Sequence, residues 1–417
     1  MAQPPGIHAR RAALKMLDAV LRRGETLEQA APGALREVRG PADKALARAI
    51  ASEALRWLTD LDGLIDSATK QRLPDDAKPR SVLRLMLAQT WRLGTPAHAV
   101  IATGLPLLSG GPRRLAHGVF STLIKREVAL PEVPTLPQAA KERWGELADA
   151  VAAGLAAPPE VDLALKDDGE TATRTVALSG DSLAPGHVRV ARGTAIEDLP
   201  GYDEGAWWVQ DLAAQIPPCL LGQGEGRHVL DLCAAPGGKT MALAAAGWKV
   251  TALDNSKRRL DTLKANLKRT QLKASPVRAD ALTWEPKHQY DAILLDAPCT
   301  ATGTCRRHPD VLHRIGPRQI AEMADIQRGL IGKAVGWLKP GGVLIYAVCS
   351  LEAEEGEDQA AWVGETFDLE SAPIATDELP DGVSPTQEGW LRLHPGLLRE
   401  QGGLDGFFVA RWTTSAN

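Results

Sequence analysis

From residue 206 onward, short apolar runs alternate with stretches of helical character, and this alternation constrains the fold more than any other sequence feature. Four of the five runs end in or near an aspartate. Strands separated by helices favour a doubly wound, mainly parallel sheet, which binds ligands beyond the carboxyl ends of its strands. The predicted strands are 228–233, 250–254, 276–280, 291–296 and 342–348, and the helical stretches include 239–246 and 257–268.

The first 130 residues have a different pattern, in which apolar side chains recur at helical spacing. Leu14, Leu17 and Leu21 form one such set. This periodicity predicts an all-α bundle over 1–130. Closely spaced prolines over 131–139 predict an extended linker. Residues 140–205 are acidic and short-patterned, so we expect a small α/β domain there, followed by the sheet domain over 206–417.

Charge is distributed unevenly along the chain. The net charge of −4 taken alone argues against a nucleic-acid binder, because binding to phosphates needs clustered Lys and Arg. Residues 1–140, however, contain 20 Lys/Arg and 13 Asp/Glu, a net of +7, which leaves −11 for the rest of the chain. The helical region is therefore basic, and both an RNA surface and ordinary solvated helix faces remain open interpretations.

Membrane and secretion signals are missing from the sequence pattern. No run of 18 apolar residues occurs, and the first residues lack a charged-then-apolar signal pattern. We therefore expect a cytoplasmic protein with no membrane segment.

Five cysteines are present, at positions 219, 233, 299, 305 and 349. The number is odd and no pair has Cys-x-x-Cys spacing, so neither a disulfide framework nor a zinc site is predicted. A lone cysteine is most often a small buried hydrophobic residue, an interpretation we apply to Cys219, Cys233 and Cys305. His308 and His313 are interpreted as polar loop residues, and we expect no metal.

A glycine-rich turn follows the first predicted strand, in Cys233-Ala-Ala-Pro-Gly-Gly-Lys-Thr240. A Walker A loop would need glycine where Cys233 stands, which excludes a nucleoside-triphosphate site. The turn lets a ligand approach the backbone at a helix N-terminus. Asp254 is placed to bind the two hydroxyls of a ribose, and Asp280 to accept the amino group of adenine. This set suits an adenosine-containing cofactor without phosphates.

Cysteine chemistry offers two further candidates, Cys299 after the fourth strand and Cys349 at the end of the fifth. These strands are neighbours in a doubly wound sheet, so the two thiols are expected at one edge. Carbon C5 of cytosine is a poor nucleophile until a group adds to C6, and a thiolate performs that addition well. Asp296, at the end of the fourth strand, is placed to hydrogen-bond the N3/N4 edge of the base.

Three segments in order carry a family resemblance: Asp231-Leu-Cys-Ala-Ala-Pro-Gly-Gly-Lys-Thr240, Asp296-Ala-Pro-Cys-Thr-Ala-Thr-Gly-Thr304 with Arg306-Arg-His-Pro-Asp310, and Tyr346-Ala-Val-Cys-Ser350. They closely resemble the S-adenosylmethionine-dependent RNA cytosine-C5 methyltransferases, over about residues 206–412. The helical region resembles the NusB-like RNA-binding domain of the bacterial 16S rRNA enzymes of the RsmB type. The resemblance implies a NusB-like bundle, a small α/β domain and a Rossmann-like methyltransferase domain.

The resemblance also implies roles for individual residues. Cys349 is the implied nucleophile, and Cys299 assists release of the enzyme from the product. Lys239 is expected to position Asp296 or to lower a thiol pKa. Gln210, Asp211 and Gln215 match a supporting segment before the sheet. The implied S-adenosylmethionine site comprises Cys233, Ala234, Ala235, Pro236, Gly237, Gly238, Lys239, Asp254, Asp280 and Asp296.

The implied partner is 16S rRNA with a flipped or unpaired cytosine, because a stacked base cannot reach such a site. We expect a monomer. A tRNA substrate and a non-catalytic RNA-binding role in ribosome assembly remain alternatives. Residues with a possible contact to the RNA backbone are Lys257, Arg258, Arg259, Lys264, Lys268, Arg269, Arg306, Arg307 and His308, although solvation of a surface helix is the favoured interpretation for the first six.

Overall fold

The computed structural model describes residues 6–415, which form two compact units. One contains the chain up to Ala157 together with Cys305–Gly316, and the other contains Pro158–Thr304 and the chain from Pro317. The helices are α1 Ile7–Arg23, α2 Leu27–Ala34, α3 Pro41–Arg56, α4 Leu58–Ser67, α5 Lys78–Trp91, α6 Ala97–Gly104, α7 Gly110–Lys125, α8 Gln138–Trp144, α9 Ala148–Gly154, α10 Thr171–Ala177, α11 Leu212–Cys219, α12 Gly238–Ala245, α13 Lys257–Thr270, α14 Val311–Arg314, α15 Pro317–Gly336 and α16 Glu357–Thr366. The strands are β1 Val161–Leu165, β2 His187–Val190, β3 Trp207–Val209, β4 His228–Leu232, β5 Lys249–Asp254, β6 Ala274–Arg278, β7 Tyr290–Asp296, β8 Leu338–Val348, β9 Leu369–Ser371, β10 Leu391–Leu393 and β11 Phe407–Thr414.

The first unit is a helical bundle, which confirms the predicted all-α region. Leu14 and Leu17 lie on the buried face of α1, which packs against α2, α3 and α5. Trp57 is fully buried in the same core. Helix α6 ends at Gly104 and is followed by a short 3-10 turn that contains Pro106, because proline cannot continue an α-helix.

Residues 131–137 form neither helix nor strand. The Thr135 backbone N–H and hydroxyl donate to the Asp60 carboxylate at 2.9 and 2.6 Å. Helices α8 and α9 then complete this part of the first unit. The segment predicted as a linker is thus held against α4 by hydrogen bonds.

Cys305–Gly316 belongs to the first unit, although in sequence it lies within the region predicted as the sheet domain. Arg56 of α3 donates to the carbonyl oxygen of Arg306 at 2.7 Å. The ring Nε2 of His313 lies 2.7 Å from the carbonyl oxygen of Leu55. Helix α14 contacts α1 and α3, so this segment is an integral part of the helical unit.

The second unit begins with a three-stranded antiparallel sheet in the order β2-β1-β3. Asp162 of β1 and Arg189 of β2 are both buried and form a two-pronged ion pair at 2.6 and 2.9 Å. Asp162 also accepts from the Leu212 N–H at the start of α11, at 2.9 Å. One carboxylate therefore joins two strands and a helix.

The large sheet of the second unit has the order β10-β11-β8-β7-β4-β5-β6, with β9 paired to β11. Strands β4 to β8 are mutually parallel, while β11 runs antiparallel to β8. Apolar clusters cover both faces of the sheet, as buried parallel strands require. This confirms the predicted doubly wound, mainly parallel sheet. The chain reverses its winding between β4 and β7, so their carboxyl ends form the expected ligand crevice.

Candidate active site

The turn after β4 is shaped by backbone conformations that few residues adopt. Cys233 has φ 62° and Gly237 has φ 106°, immediately before α12 begins. A side chain at Gly237 would lie 2.8 Å from Leu263, and one at Gly238 would lie 3.0 Å from the Gln210 amide. Gly237 is therefore required by conformation and by space, and Gly238 by space.

Hydrogen bonds tie this turn to the neighbouring elements. The Ala234 N–H donates to the Leu253 carbonyl oxygen at 3.1 Å, and Asn266 of α13 donates to the Pro236 carbonyl oxygen at 3.0 Å. The Ala235 N–H donates to Asp254 at 3.2 Å. These hydrogen bonds fix the backbone of the turn at the carboxyl end of β4.

Gln210 and Gln215 support the same turn from the segment before the sheet. Gln210 accepts from the Trp208 indole at 2.7 Å and donates to the Ala214 carbonyl oxygen at 2.9 Å. Gln215 donates to the Gln210 carbonyl oxygen at 2.7 Å. These bonds fix the amide against which Gly238 packs.

Carboxylates stand at the ends of successive strands, as the sequence predicts. Asp254 ends β5, is buried, and accepts from the N–H groups of Ala235 and Ser256. Asp280 follows β6, is exposed, and accepts from the Leu282 N–H at 3.0 Å. A carboxylate has about four acceptor positions, so both retain acceptor capacity for hydroxyl or amino hydrogens.

Asp231 begins the first of the three family motifs, but the sequence predicts no role for it. Its side chain is fully buried on β4, and burial raises its pKa to about 7. Thr240 donates to Oδ2 at 2.5 Å, while Oδ1 is buried without a hydrogen-bond partner among residues 6–415. The site thus has a buried acceptor without a partner on β4, the glycine-rich turn, and the carboxylates of Asp254 and Asp280. This set fits a nucleoside that donates hydroxyl and amino hydrogens.

The two candidate cysteines meet at the ends of adjacent parallel strands. Cys299 follows β7 and Cys349 follows β8, and their Sγ atoms are 3.5 Å apart. The hydrogen bond with Cys349 and burial raise the pKa of the Cys299 thiol well above its usual value. A pair of thiols at this distance holds one negative charge far more readily than two.

Lys239 and Asp296 form the charged pair beside these thiols. The Lys239 Nζ lies 2.7 Å from Asp296 Oδ2, a contact through which Lys239 can position Asp296. Lys239 is buried, whereas the side chain of Asp296 is 31% exposed. Asp296 is thus held in place on one side and remains accessible to a ligand on the other.

Cys233 has a different environment from the pair. Burial and the carboxylates of Asp296, Asp254 and Asp231 raise its pKa to about 12. It is therefore a neutral thiol that contacts apolar neighbours. Cys305 is fully buried, as expected. Cys219 is exposed at the end of α11, so its interpretation as a buried residue is wrong.

Three predictions for polar residues need correction or division. Arg306 is only 2% exposed, so it does not present its side chain to RNA. His313 lies in α14 and is half-buried, whereas a loop position was expected. In α13, Arg259 and Arg269 donate to carbonyl oxygens of the turn and of Trp207. The exposed basic residues of this helix are Lys257, Arg258, Arg259, Lys264 and Lys268.

Glu355 and Gln327 lie next to the cysteines and were missed. Glu355 follows Cys349 by six residues and is fully buried. Gln327 occupies a position in the buried stripe of α15 that also contains Ile320, Ala324 and Ile331. A polar side chain in an otherwise apolar helical stripe was the signal available in the sequence for Gln327.

No group of three or more His, Cys, Asp or Glu side chains is arranged to hold a metal ion within residues 6–415. Within the same residues, no helix combines the length and apolar character needed to cross a membrane.

A doubly wound sheet with an open glycine-rich turn after β4 and carboxylates along the next strands defines an S-adenosylmethionine-dependent methyltransferase. Residues 218–413 match the family described as 16S rRNA methyltransferase RsmB/F, and residues 7–107 match the NusB family. The chain belongs to the 16S rRNA methyltransferase RsmB/F family, with a NusB domain before its methyltransferase domain.

Similar proteins agree with this assignment over nearly the whole chain. Ribosomal RNA small subunit methyltransferase B of Klebsiella pneumoniae subsp. pneumoniae is 33% identical, covering 97% of this chain and 98% of its own. The protein of the same description from Salmonella paratyphi C is 32% identical, with 96% and 97% covered.

Solved structures share the architecture. The crystal structure of PH0851 covers 99% of both chains with a TM-score of 0.71 at 22% identity, which shows the fold. A methyltransferase homolog protein from Pyrococcus horikoshii covers 66% of this chain and 93% of its own, with a TM-score of 0.56 at 27% identity.

Proposed function

We propose that this protein methylates carbon C5 of a cytosine in 16S rRNA through a covalent bond between Cys349 and C6 of the base. One observation carries the chemistry: two thiols 3.5 Å apart at the ends of adjacent strands, beside the Asp296–Lys239 pair. The substrate is supported by the family to which the chain belongs and by the description of its relatives as ribosomal RNA small subunit methyltransferases. The protein acts in the cytoplasm as a monomer without a metal.

Cys349 begins the reaction. Its sulfur electron pair forms the S–C6 bond, and the C5=C6 electron pair moves onto C5. Asp296, held by Lys239, hydrogen-bonds the N3/N4 edge and stabilises the base as charge develops on it. The turn 233–239 together with Asp254, Asp280 and Asp296 would hold S-adenosylmethionine, which would supply an electrophilic methyl group. The C5 electron pair would form the C5–CH3 bond as the S–CH3 bond breaks, its electron pair remaining on the sulfur of S-adenosylhomocysteine.

Cys299 completes the reaction. Once Cys349 is a thioether, the hydrogen bond that contributes most to the raised pKa of Cys299 is gone. Cys299 then ionises more readily and takes the proton from C5. The C–H electron pair restores the C5=C6 bond, and the S–C6 bond breaks with its pair returning to Cys349. The methylated base is released.

The test is methyl transfer from labelled S-adenosylmethionine to unmodified small-subunit rRNA. Cys349→Ala is expected to abolish both transfer and the covalent protein–RNA adduct, because no group then adds to C6. Cys299→Ala is expected to accumulate an adduct that survives denaturation, because release is impaired. The readouts are incorporated label and the shifted band on a denaturing gel.

Cys219→Ala, which removes an exposed cysteine outside the site, is the matched control and should behave as wild type. Transfer by Cys349→Ala at the wild-type rate would contradict the covalent mechanism. Preferred transfer to tRNA would replace the proposed substrate, and cofactor binding without turnover on either RNA would indicate a non-catalytic RNA-binding protein.

A further inference from the structure

Glu355 is a buried carboxylate that the proposed chemistry does not use. It is 0% exposed and lies in the short 3-10 turn Ala353–Glu355 after Cys349. Its carboxylate oxygens accept from the Thr300 N–H at 3.0 and 3.3 Å. Thr300 directly follows Cys299, so this hydrogen bond holds the backbone on one side of that cysteine.

Gln327 of α15 holds the other side of Cys299. Its Nε2 donates to the Pro298 carbonyl oxygen at 2.9 Å and to Glu355 Oε2 at 3.2 Å. Pro298 directly precedes Cys299. Gln327 therefore hydrogen-bonds the carbonyl group before Cys299, and Glu355 hydrogen-bonds the amide group after it. We call these two residues the clamp.

Hydroxyl groups connect the loop that contains Cys299 to the segment that follows β8 and contains Cys349. Ser350 Oγ lies 3.3 Å from Thr300 Oγ1 and 3.2 Å from Thr302 Oγ1. The Gly303 N–H donates to the Cys349 carbonyl oxygen at 3.1 Å. Through these contacts the position of Cys299 relative to Cys349 is fixed by buried groups on both loops.

The clamp also places an acidic group on the Cys299 side of the thiol pair. Burial raises the pKa of Glu355, while the hydrogen bonds from Thr300 and Gln327 lower it. The charged form of Glu355 contributes to the raised pKa of Cys299, after the larger effects of the hydrogen bond with Cys349 and of burial. The other polar groups facing this region are Glu352, Tyr346 and Arg392.

We propose that Glu355 and Gln327 are positioning residues that fix the loop of Cys299 and disfavour ionisation of Cys299 beside Cys349 in the free enzyme. This inference rests on the proposed function, in which Cys349 is the nucleophile. Two cysteine thiols 3.5 Å apart ionise equally readily unless their surroundings differ. The clamp lies on the Cys299 side only and contributes such a difference.

The experiment measures Cys299 directly and requires no methyl transfer. In the Cys349→Ala background, iodoacetamide labelling of the Cys299 peptide is followed by mass spectrometry between pH 7 and 11. Adding Glu355→Gln is expected to lower the labelling midpoint by about one pH unit, since removal of a nearby like charge shifts a pKa by this order. Below the midpoint, labelling should then be about tenfold faster.

Glu355→Gln is compatible with the buried surroundings. Its amide oxygen can accept from the Thr300 N–H, and Gln327 Oε1, which has no hydrogen-bond partner in the structure, can accept from the new amide. Glu354→Gln changes the exposed neighbouring glutamate and is the matched control, with an unchanged midpoint expected. A folded Glu355→Gln variant with an unchanged or raised midpoint would overturn the inference.

A second variant tests the grip on the loop. Gln327→Met keeps the side-chain volume but removes both donors, so amide hydrogen exchange in the peptide covering 297–304 should accelerate at least tenfold. Unchanged exchange there would overturn the positioning role of Gln327. If wild-type protein fails to methylate RNA while both shifts occur, the proposed function fails and the clamp stands.

Discussion

Asp231 shows how burial changes the protonation of a single residue. Its pKa is raised to about 7 by burial, whereas the same carboxyl group in an unfolded chain titrates near its usual value of about 3.9. The folded state therefore binds an additional proton between about pH 4 and pH 7. Stability falls as pH rises through this window and levels off above it, because the charged form is the one that burial disfavours.

Asp231→Asn is expected to stabilise the fold, most strongly above pH 7. The gain should grow by about 1.4 kcal/mol per pH unit across the window, up to a ceiling of about 4 kcal/mol. Asparagine removes the buried charge and can still accept from Thr240. Urea denaturation at pH 5.5, 7 and 8.5 measures the difference.

Asp358→Asn, at an exposed position in α16, is the control and should show no such trend. A gain independent of pH would contradict a raised pKa of Asp231 in the folded state.

The positions of site residues that lie within local motifs could be predicted from the sequence. The burial of residues that depends on distant parts of the chain could not. The Lys239–Asp296 contact and the meeting of Cys299 with Cys349 follow from strand order plus motif position. Glu355 has no local signal, because its burial depends on a loop that begins 55 residues earlier in the chain. The buried state of Arg306 likewise depends on α3, far away in sequence.

At the scale of elements, the ion pair between β1 and β2 joins the small sheet to its surroundings. Arg189 pairs with Asp162 and donates to the Gly403 carbonyl oxygen at 2.7 Å. Asp162 accepts from Leu212 at the start of α11. Loss of one partner leaves the other charge buried and unpaired, which is costly.

Asp162→Asn is therefore expected to destabilise the second unit by about 3–5 kcal/mol. Chemical denaturation followed by tryptophan fluorescence reports it, since Trp207 and Trp208 lie on β3 beside β1. Asp181→Asn, at an exposed position near β2, should change stability by less than about 0.5 kcal/mol. Equal effects of the two substitutions would contradict the importance assigned to the pair.

The parallel strands of the large sheet were predictable from sequence because their apolar runs alternate with helical stretches. The small sheet was not, since its strands have three to five residues and pair only across long loops. The antiparallel strand β11 was also absent from the predicted set. Its partner β8 is more than 50 residues away, and no helix precedes it to signal a parallel crossover.

At the scale of the whole molecule, both compact units are assembled from two separate stretches of chain. Arg56 is the residue that holds the later stretch in the helical unit, by donating to the carbonyl oxygens of Arg306 and Leu155 and pairing with Glu53. Such an arrangement cannot be predicted from local pattern, because the contact joins residues 250 positions apart.

Arg56→Met is expected to loosen Cys305–Gly316 while leaving the bundle folded. Hydrogen bonds to charged groups contribute about 1.5–3 kcal/mol, so amide exchange in this segment should accelerate about tenfold or more. Arg48→Met, at an exposed position of the same helix, is the matched control. Identical exchange in the two variants would show that other contacts hold the segment.

The two-stretch composition of the helical unit has a consequence for its synthesis. Its last segment begins about 150 residues after Ala157, so at about 5–20 residues per second the ribosome delivers it roughly 8–30 s later. During this interval the bundle exists without the segment that Arg56 will hold, and the surface that packs against α14 is open to water. Completion of the helical unit therefore follows translation of much of the sheet domain, and a chain terminated before residue 305 carries an incomplete bundle.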